Sequence, residues 1–403
     1  MQRSTKRLIW GSAAVLLVLI GFGGYVYFVS TNAILTQAEN FQFRRMKVAQ
    51  LPDQKSYRFF FISNRGGDAS ENAAWTALLD ERFTSARGGA LRFGAFDTEI
   101  EPALGLGMWL NASSWFLDEE IRILKVHELE RAAMAQQVRE MVARSPHRAL
   151  LLLVHGYRSD FDHALRGTAF LAHILDIDAP VMVFDWPGDQ GDSLRGYRRA
   201  QQVATASGAE LAAVLRLIKR EIRPERLWLV ANSMGGQVVV DAFSQLYGEA
   251  GYGEKDREID AVVLTAPDVD HADFNDQFKR ELAALVRKTT VYVSSNDRAL
   301  LVSRVINRGR RLGQSTLSKA DAELIAETEN LLDLTSPSDD TLELVDVTPV
   351  NRTRNFHNFS LEVPEYFDDM YLRLVNPDTP ENRLRYRFRT AQDKVYSVLT
   401  RGR

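Results

Sequence analysis

The sequence predicts an α/β fold: a mostly parallel, doubly wound sheet with helices on both faces, preceded by one N-terminal transmembrane helix. Three observations predict it. From about residue 149 onward, short apolar runs alternate with longer stretches of helical period, as parallel strands joined by crossover helices require. Residues 149–154, Ala-Leu-Leu-Leu-Leu-Val, are apolar without interruption, the pattern of a strand covered on both faces. Residues 8–29 carry no charge and are rich in Leu, Val and Ile, long enough to cross a hydrocarbon core as a helix.

The elements follow in chain order. Arg3, Lys6 and Arg7 precede the apolar stretch, and Tyr25, Tyr27 and Phe28 end it, which orients a single span with residues 1–7 in the cytoplasm and the remainder outside. The stretch exceeds the apolar core of a secretory signal and no small-x-small cleavage site follows, so it reads as an uncleaved anchor. Residues 30–55 are polar and read as a linker. Residues 56–62 form a first strand, ended by Asn64-Arg65-Gly66-Gly67, and residues 91–100 a second. Residues 126–143 read as a helix, because Leu129, Ala132, Ala133, Val138 and Met141 recur at helical spacing. Further strands fall at 149–154, 181–184, 227–230, 259–264, 290–293 and 342–345, with helices at 161–175, 197–222, 237–247 and 274–287. Residues 313–340 form an acidic insertion, and beyond residue 363 the alternation stops.

Composition removes several classes. A net charge of -3 over 403 residues gives no basis for a nucleic-acid partner. With no cysteine, disulfides, thiolate catalysis, iron–sulfur clusters and Cys-based zinc sites are excluded. The acidic run that begins at Asp268 lacks the sixth-position Gly and twelfth-position Glu of a calcium loop, carrying Asp273 and Lys279 there. Neither H-E-x-x-H nor a phosphate-binding G-x-x-x-x-G-K-S/T occurs, so no metal or cofactor is expected.

The run Ala231-Asn232-Ser233-Met234-Gly235-Gly236 follows the apolar Leu227-Trp228-Leu229-Val230 without a spacer. This is G-x-S-x-G with Ala at the first position: a strand, a turn too tight for bulk beside the serine, and a helix that together expose one hydroxyl. The bland alternative is a Gly-rich helix start capped by Ser233. A nucleophilic serine needs a base, an acid and an oxyanion site. His127, His147, His163 and His173 lie on or near helices and read as packing or surface residues. His155 ends a strand before Gly156, which points to a backbone role, with the amides of Tyr157 and Met234 as oxyanion donors. His357 follows the last βα strand in a polar loop and comes after the serine, as the order Ser…Asp/Glu…His demands. His271, one strand after the serine, is its rival. Asp297 follows the second strand after the nucleophile, and Asp268 and Asp270 are alternative acids one strand earlier.

Six segments resemble the α/β-hydrolase superfamily, and within it a bacterial family of alpha/beta hydrolases of unknown function. They are Phe60-Phe61-Ile62-Ser63-Asn64-Arg65, Leu153-Val154-His155-Gly156-Tyr157, Phe184-Asp185-Trp186-Pro187-Gly188, the Ser233 run, Ala266-Pro267-Asp268, and Ser294-Ser295-Asn296-Asp297-Arg298-Ala299-Leu300. The resemblance implies Ser233 as nucleophile, Asp297 as acid and His357 as base. Two positions depart from the family pattern: Ala231 replaces Gly, and Phe356 stands before His357 where a Gly is common. The expected organisation is a cytoplasmic 1–7, an anchor at 8–29, a linker at 30–55, a hydrolase domain at 56–362 and a C-terminal extension at 363–403. The expected activity is hydrolysis of a small-molecule or lipid acyl ester, thioester or amide. A non-catalytic envelope binding or scaffolding protein, or an acyltransferase using the same triad, would share these features.

In the extension, Arg383, Arg385, Arg387 and Arg389 alternate with Leu384, Tyr386 and Phe388. Strand spacing puts the guanidinium groups on one face and the apolar groups on the other. This reads as an edge strand protected by charge, with contact to anionic lipid headgroups as the sharper alternative.

Overall fold

The computed structural model describes residues 46–67, 74–75, 82–100, 121–253, 257–269, 277–294, 342–351, 359–377, 384–389 and 395–400. Its strands are β1 (Ser56–Arg65), β2 (Ala74–Trp75), β3 (Arg87–Ile100), β4 (Ile121–Glu128), β5 (Ala149–Val154), β6 (Val181–Asp185), β7 (Arg226–Asn232), β8 (Ile259–Thr265), β9 (Val286–Val293), β10 (Leu342–Asp346), β11 (Arg385–Arg389) and β12 (Val395–Leu399). Its helices are α1 (Arg131–Arg144), α2 (Phe161–Leu175), α3 (Leu194–Leu217), α4 (Gly235–Leu246), α5 (Lys279–Leu285), α6 (Phe359–Glu362) and α7 (Pro364–Val375). The strands form one 12-stranded sheet in the order β11-β12-β10-β9-β8-β7-β5-β6-β1-β3-β4-β2. From β12 to β1 every neighbouring pair is parallel. β3, β4 and β2 continue one side antiparallel, and β11 pairs antiparallel at the other edge. The mostly parallel sheet expected from the sequence is therefore present.

Burial shows why these runs become central strands. All six residues of β5 are buried, and Phe59, Phe60, Phe61 and Ile62 of β1 are each 0 % exposed. Successive side chains of a strand point to opposite faces, so both faces must be covered. α3 packs on α4, α5 touches α4, and α2 touches α7. At the α3–α4 crossing, a Cβ on Gly208 would sit 2.4 Å from the Asp241 Cβ, so the helices approach more closely than Ala would allow. α2 begins at a cap in which Asp160 accepts from the His163 amide, α3 at one in which Ser193 accepts from the Gly196 amide, and α7 begins with Pro364.

Local periodicity misplaced four segments. Residues 126–128 belong to β4 rather than to a helix, because Val126 pairs with Phe96 and is fully buried; α1 begins at Arg131. Residues 286–287 open β9, where Val286 pairs with Ile259, so the helix before it stops at Leu285. The helix expected to reach 222 is α-helical to Leu217 and then π-helical over Ile218–Ile222. Residues 46–49, placed in a linker, are docked: Met46 and Ala49 are buried, the Met46 amide donates to Asp176 Oδ1 at 3.1 Å, and the amides of Lys47 and Val48 donate to Asp178 Oδ1 at 2.8 Å.

The segment set apart as an extension supplies α7 and two strands of the same sheet. β11 is an edge strand, as its charge pattern suggested, but its arginines are not all turned to solvent: Arg387 is exposed and Arg385 is not. Arg385 is turned inward, bonding Asp369 through Nε at 2.6 Å and pairing also with Glu343, while Tyr386 and Phe388 are exposed. The buried Asp369 and the partly exposed Glu343 together outweigh the tendency of an arginine to face water. Arg383 lies outside the described residues, as do 1–45 and the acidic segment 313–340. Among the described residues, no helix is long and apolar enough to cross a membrane.

Candidate active site

Ser233 is the residue at which β7 ends and the turn into α4 begins. Its φ is 51°, the left-handed region that a non-glycine residue occupies only under constraint. The constraint is visible in the backbone. The Ser233 amide donates to the Thr265 carbonyl at 2.9 Å, and the Ser233 carbonyl accepts from the amides of Gly236 at 2.9 Å and Asp268 at 3.0 Å. The end of β8 thus clamps the turn from one side. β5 closes it from the other. A Cβ on Gly235 would lie 2.5 Å from the His155 carbonyl oxygen, and one on Gly156 would lie 3.0 Å from the Ser233 Cβ. No side chain fits at position 235, where the clash is with backbone, and one at position 156 would be tighter than ordinary contact. Ala231 is fully buried inside β7, between Val154 and Leu264, so the missing first Gly leaves the turn itself intact.

The Gly156–Tyr157 peptide beside the serine is oriented by an imidazole. His155 Nδ1 lies 3.0 Å from the Gly156 carbonyl oxygen. A carbonyl oxygen can only accept, so Nδ1 carries the proton it donates to Gly156, while Nε2 lies 3.2 Å from the Trp186 amide nitrogen and 3.1 Å from Asp185 Oδ1. In a trans peptide the C=O and N–H point in opposite directions. Holding the Gly156 oxygen therefore turns the Tyr157 N–H away from the His155 ring. The imidazole stacks on Trp186 with 6° between planes, and the Trp186 indole N–H donates to the His155 carbonyl at 2.8 Å. Among the described residues, neither the Tyr157 nor the Met234 amide is engaged in a hydrogen bond.

Behind His155 sits a buried ion pair that periodicity could not reveal. Arg65 and Asp185, both 0 % exposed at the side chain, pair at 3.0 Å. Asp185 also accepts from Ser63 Oγ at 2.5 Å and lies 3.1 Å from His155 Nε2. Arg65 reaches Asp189 at 2.5 Å and donates to the carbonyls of Ser159 at 2.7 Å and Trp186 at 3.0 Å. Burial pushes the Asp185 carboxyl upward, but the Arg65 guanidinium and the groups donating to it override this and leave it below the usual carboxylate range. Burial likewise opposes the Arg65 charge, and Asp185 and Asp189 reverse that, raising it. In the sequence, Arg65 and Asp185 show only as charged residues closing two strands.

The structure brings Ser233, Met234, Tyr157 and Asp268 to one rim of the sheet. Asp268 is buried, and its carboxylate accepts from the Tyr197 hydroxyl, which packs edge-on against Tyr157 at 5.5 Å. The Tyr157 hydroxyl donates to the Gly191 carbonyl. Asp297, His357, Asp270 and His271 lie outside the described residues. His127, His147 and His163 face Asp97, Trp228 and Asp160 respectively, and His173 is a helix residue whose burial lowers its pKa to about 4. Among the described residues, no group of three or more acidic or His side chains is placed to hold a metal ion.

A parallel sheet with a strained serine between a central strand and a helix is the architecture of the α/β-hydrolase fold. A family model described as "Alpha/beta hydrolase of unknown function (DUF900)" matches residues 130–360, more than half of the chain. The protein belongs to that family. Among solved structures, it is similar to a serine hydrolase without lid from Xanthomonas campestris, at 15 % identity and a TM-score of 0.33, over 59 % of this chain and 84 % of that one. It is also similar to a cold-adapted esterase from an Arctic intertidal metagenomic library, at 13 % identity and a TM-score of 0.36, over 81 % of this chain and 97 % of that one. A type II thioesterase of the yersiniabactin pathway aligns at 12 % identity and a TM-score of 0.32, over 57 % and 94 % of the two chains. No curated protein matches the chain.

Proposed function

We propose that the protein is a serine hydrolase that cleaves an ester, thioester or amide of a small-molecule or lipid acyl substrate. Ser233 is the nucleophile, His357 the base and Asp297 the acid that fixes the imidazole tautomer. His357 takes the hydroxyl proton as Ser233 Oγ attacks the carbonyl carbon. The oxyanion is held by the amides of Tyr157 and Met234, and His357 returns the proton to the leaving group. Water activated by the same imidazole then releases the acid and regenerates Ser233.

The observation that carries this reading is a serine held at φ 51° between two amides that bond nothing else among the described residues. The strain and the unengaged donors make sense together as a site built around a developing negative charge. Support for the other two residues comes from their neighbours. Phe359, two residues after His357, is fully buried, and Ser360 Oγ donates to Asn232 Oδ1 at 3.4 Å, one residue before the nucleophile. Ser294, three residues before Asp297, is buried and accepts from Asn351 Nδ2 at 2.8 Å. A chain advances ~3.8 Å per residue, so both tethers are short.

Labelling with a fluorophosphonate probe tests the assignment. Wild type is expected to label, and Ser233→Ala, Asp297→Asn and His357→Ala to lose labelling or slow it by about 10³-fold or more. Ser233-independent labelling, or none at all in folded protein, would leave a binding or scaffolding role. Labelling without turnover of any ester until an alcohol or amine acceptor is supplied would make the protein an acyltransferase.

The location belongs to the same proposal. Residues 8–29 anchor the chain as one span, with the N-terminus cytoplasmic and the hydrolase domain on the outer side of the membrane. A reporter that folds only outside the cytoplasm, fused after residue 35, is expected to be active. A cytoplasm-only reporter active at that position would reverse the orientation.

A further inference from the structure

At the opposite pole of the sheet from Ser233, a cavity of about 420 Å³ opens beneath the amino ends of β7 and β8. Its depth is aliphatic: Leu227 and Ile259 come from the two strands, Ile218 from the π turn, and Leu246 and Leu285 from the ends of α4 and α5. Each of these side chains is almost fully buried, Leu227 most exposed at 6 %. Leu227 precedes Ser233 by six residues of extended strand, about 20 Å at ~3.3 Å per residue, so the cavity is no part of the hydrolytic site.

Polar groups gather at one end. Lys219 pairs with Glu258 at 3.1 Å and lies 4.1 Å from the centre of the Tyr252 ring. Arg223 is different. It is exposed, its φ is 57°, its Nε is bonded to the Arg220 carbonyl at 2.8 Å, and no carboxylate pairs with it among the described residues. The Tyr252 hydroxyl, on the same wall, is buried without a hydrogen-bond partner, and Tyr252 as a whole is 9 % exposed. A buried hydroxyl left unpaired costs free energy comparable to a lost hydrogen bond, which points to a missing partner. The π turn that shapes this wall is a costly interruption of α3, of the kind that recurs at functional sites.

We propose that this cavity binds a small amphipathic carboxylate, its alkyl chain among the leucines and isoleucines and its head group at Arg223 and Tyr252. A cavity of this size, apolar within and carrying a Lys219–Glu258 pair, the Arg223 guanidinium and the Tyr252 hydroxyl at its edge, has the make-up of a small-molecule site. The head is anionic because Arg223, which has no carboxylate partner among the described residues, presents a guanidinium whose fork fits a carboxylate. The site is independent of the triad: its ligand binds whether or not Ser233 is a nucleophile.

Calorimetric titration of the full chain carrying Ser233→Ala with octanoate and decanoate, below their micellar range, tests this. One saturable site is expected, weakened about tenfold or more by Arg223→Gln and several-fold by Tyr252→Phe, with octanol and octylamine binding far more weakly than octanoate. Both substitutions leave the aliphatic lining in place, and circular dichroism verifies folding. Equal affinity in wild type and Arg223→Gln, equal affinity for octanol and octanoate, or no saturable binding would each overturn the proposal.

Discussion

Two arginine side chains turned into the protein, Arg65 and Arg385, do different jobs. Arg65 ends β1 and spends most of its donors on loops: the carbonyls of Ser159 and Trp186, and Asp189, besides the Asp185 at the end of β6. Arg385, on the edge strand β11, bonds groups on regular elements: Asp369 of α7, Glu343 of β10 and the Tyr292 hydroxyl of β9. The first network fixes where loops sit around Ser233. The second fastens a late helix and an edge strand to a sheet that is already complete around the site. A buried charge can therefore serve loop placement in one region and sheet assembly in another.

Replacing one arginine at a time separates the two roles. Arg65→Met is expected to cost about 3–5 kcal/mol, the range for stranding a fully buried partner, and to depress turnover in whatever protein still folds. The double variant Arg65→Met with Asp185→Asn should recover part of the stability and little of the turnover; denaturant unfolding and esterase assays read the two. Arg385→Met should cost somewhat less, about 2–3 kcal/mol, because the Tyr292 hydroxyl still donates to Asp369 at 2.5 Å and Glu343 keeps a partly exposed side chain. Turnover per folded molecule should be unchanged. Equal losses of turnover in the two single variants would erase the distinction.

A finer test lies at His155. Asn places a donor where Nδ1 stands, and Gln places one where Nε2 stands. His155→Asn is expected to keep kcat within a few-fold. His155→Gln should lower it about 10- to 100-fold with KM nearly unchanged, as expected when an oxyanion donor is misaligned. Identical kcat in both variants would show that the Gly156 peptide is held by other means.

The smallest effect concerns acid. His173 is held neutral with a pKa of about 4, below its ordinary 6.5, so the unfolded chain binds a proton there first. Stability should fall as pH drops from about 6.5 toward 4. Asp185 and Glu343 titrate below the usual carboxylate range, each burdened by burial and rescued by its arginine. Their contribution is present above the unfolded carboxylate pKa and is lost as pH falls through the folded value. Arg385→Met should therefore leave the His173 decline in place and flatten only the more acidic part of the curve, measured as melting temperature against pH.

The central sheet was legible because its strands are written in one local currency, continuous apolarity. Residues 149–154, and 261–264 within the strand at 259–264, needed no partner to be recognised. β4 was not legible, since Ile121–Glu128 alternates with charges and becomes a strand only because β3 offers it an edge. The serine turn was legible because steric need leaves a mark in small residues at fixed offsets. The Arg65–Asp185 pair was not, because its members are 120 positions apart and each alone looks like an ordinary strand end. The inward turn of Arg385 was hidden in the same way: its acids lie on a helix and a strand that the alternating pattern could not point to.

The docking of Met46–Ala49 has a directional consequence. The acids that hold it, Asp176 and Asp178, lie in the connection leading into the amino end of β6, whereas Ser233 stands at the opposite, carboxyl pole. If, as proposed, residues 8–29 are embedded in a bilayer, the anchor joins the domain at the pole away from Ser233. Such an attachment would favour a posture in which the protein hangs from its base, the Ser233 rim away from the lipid, open to substrates that arrive from the aqueous side.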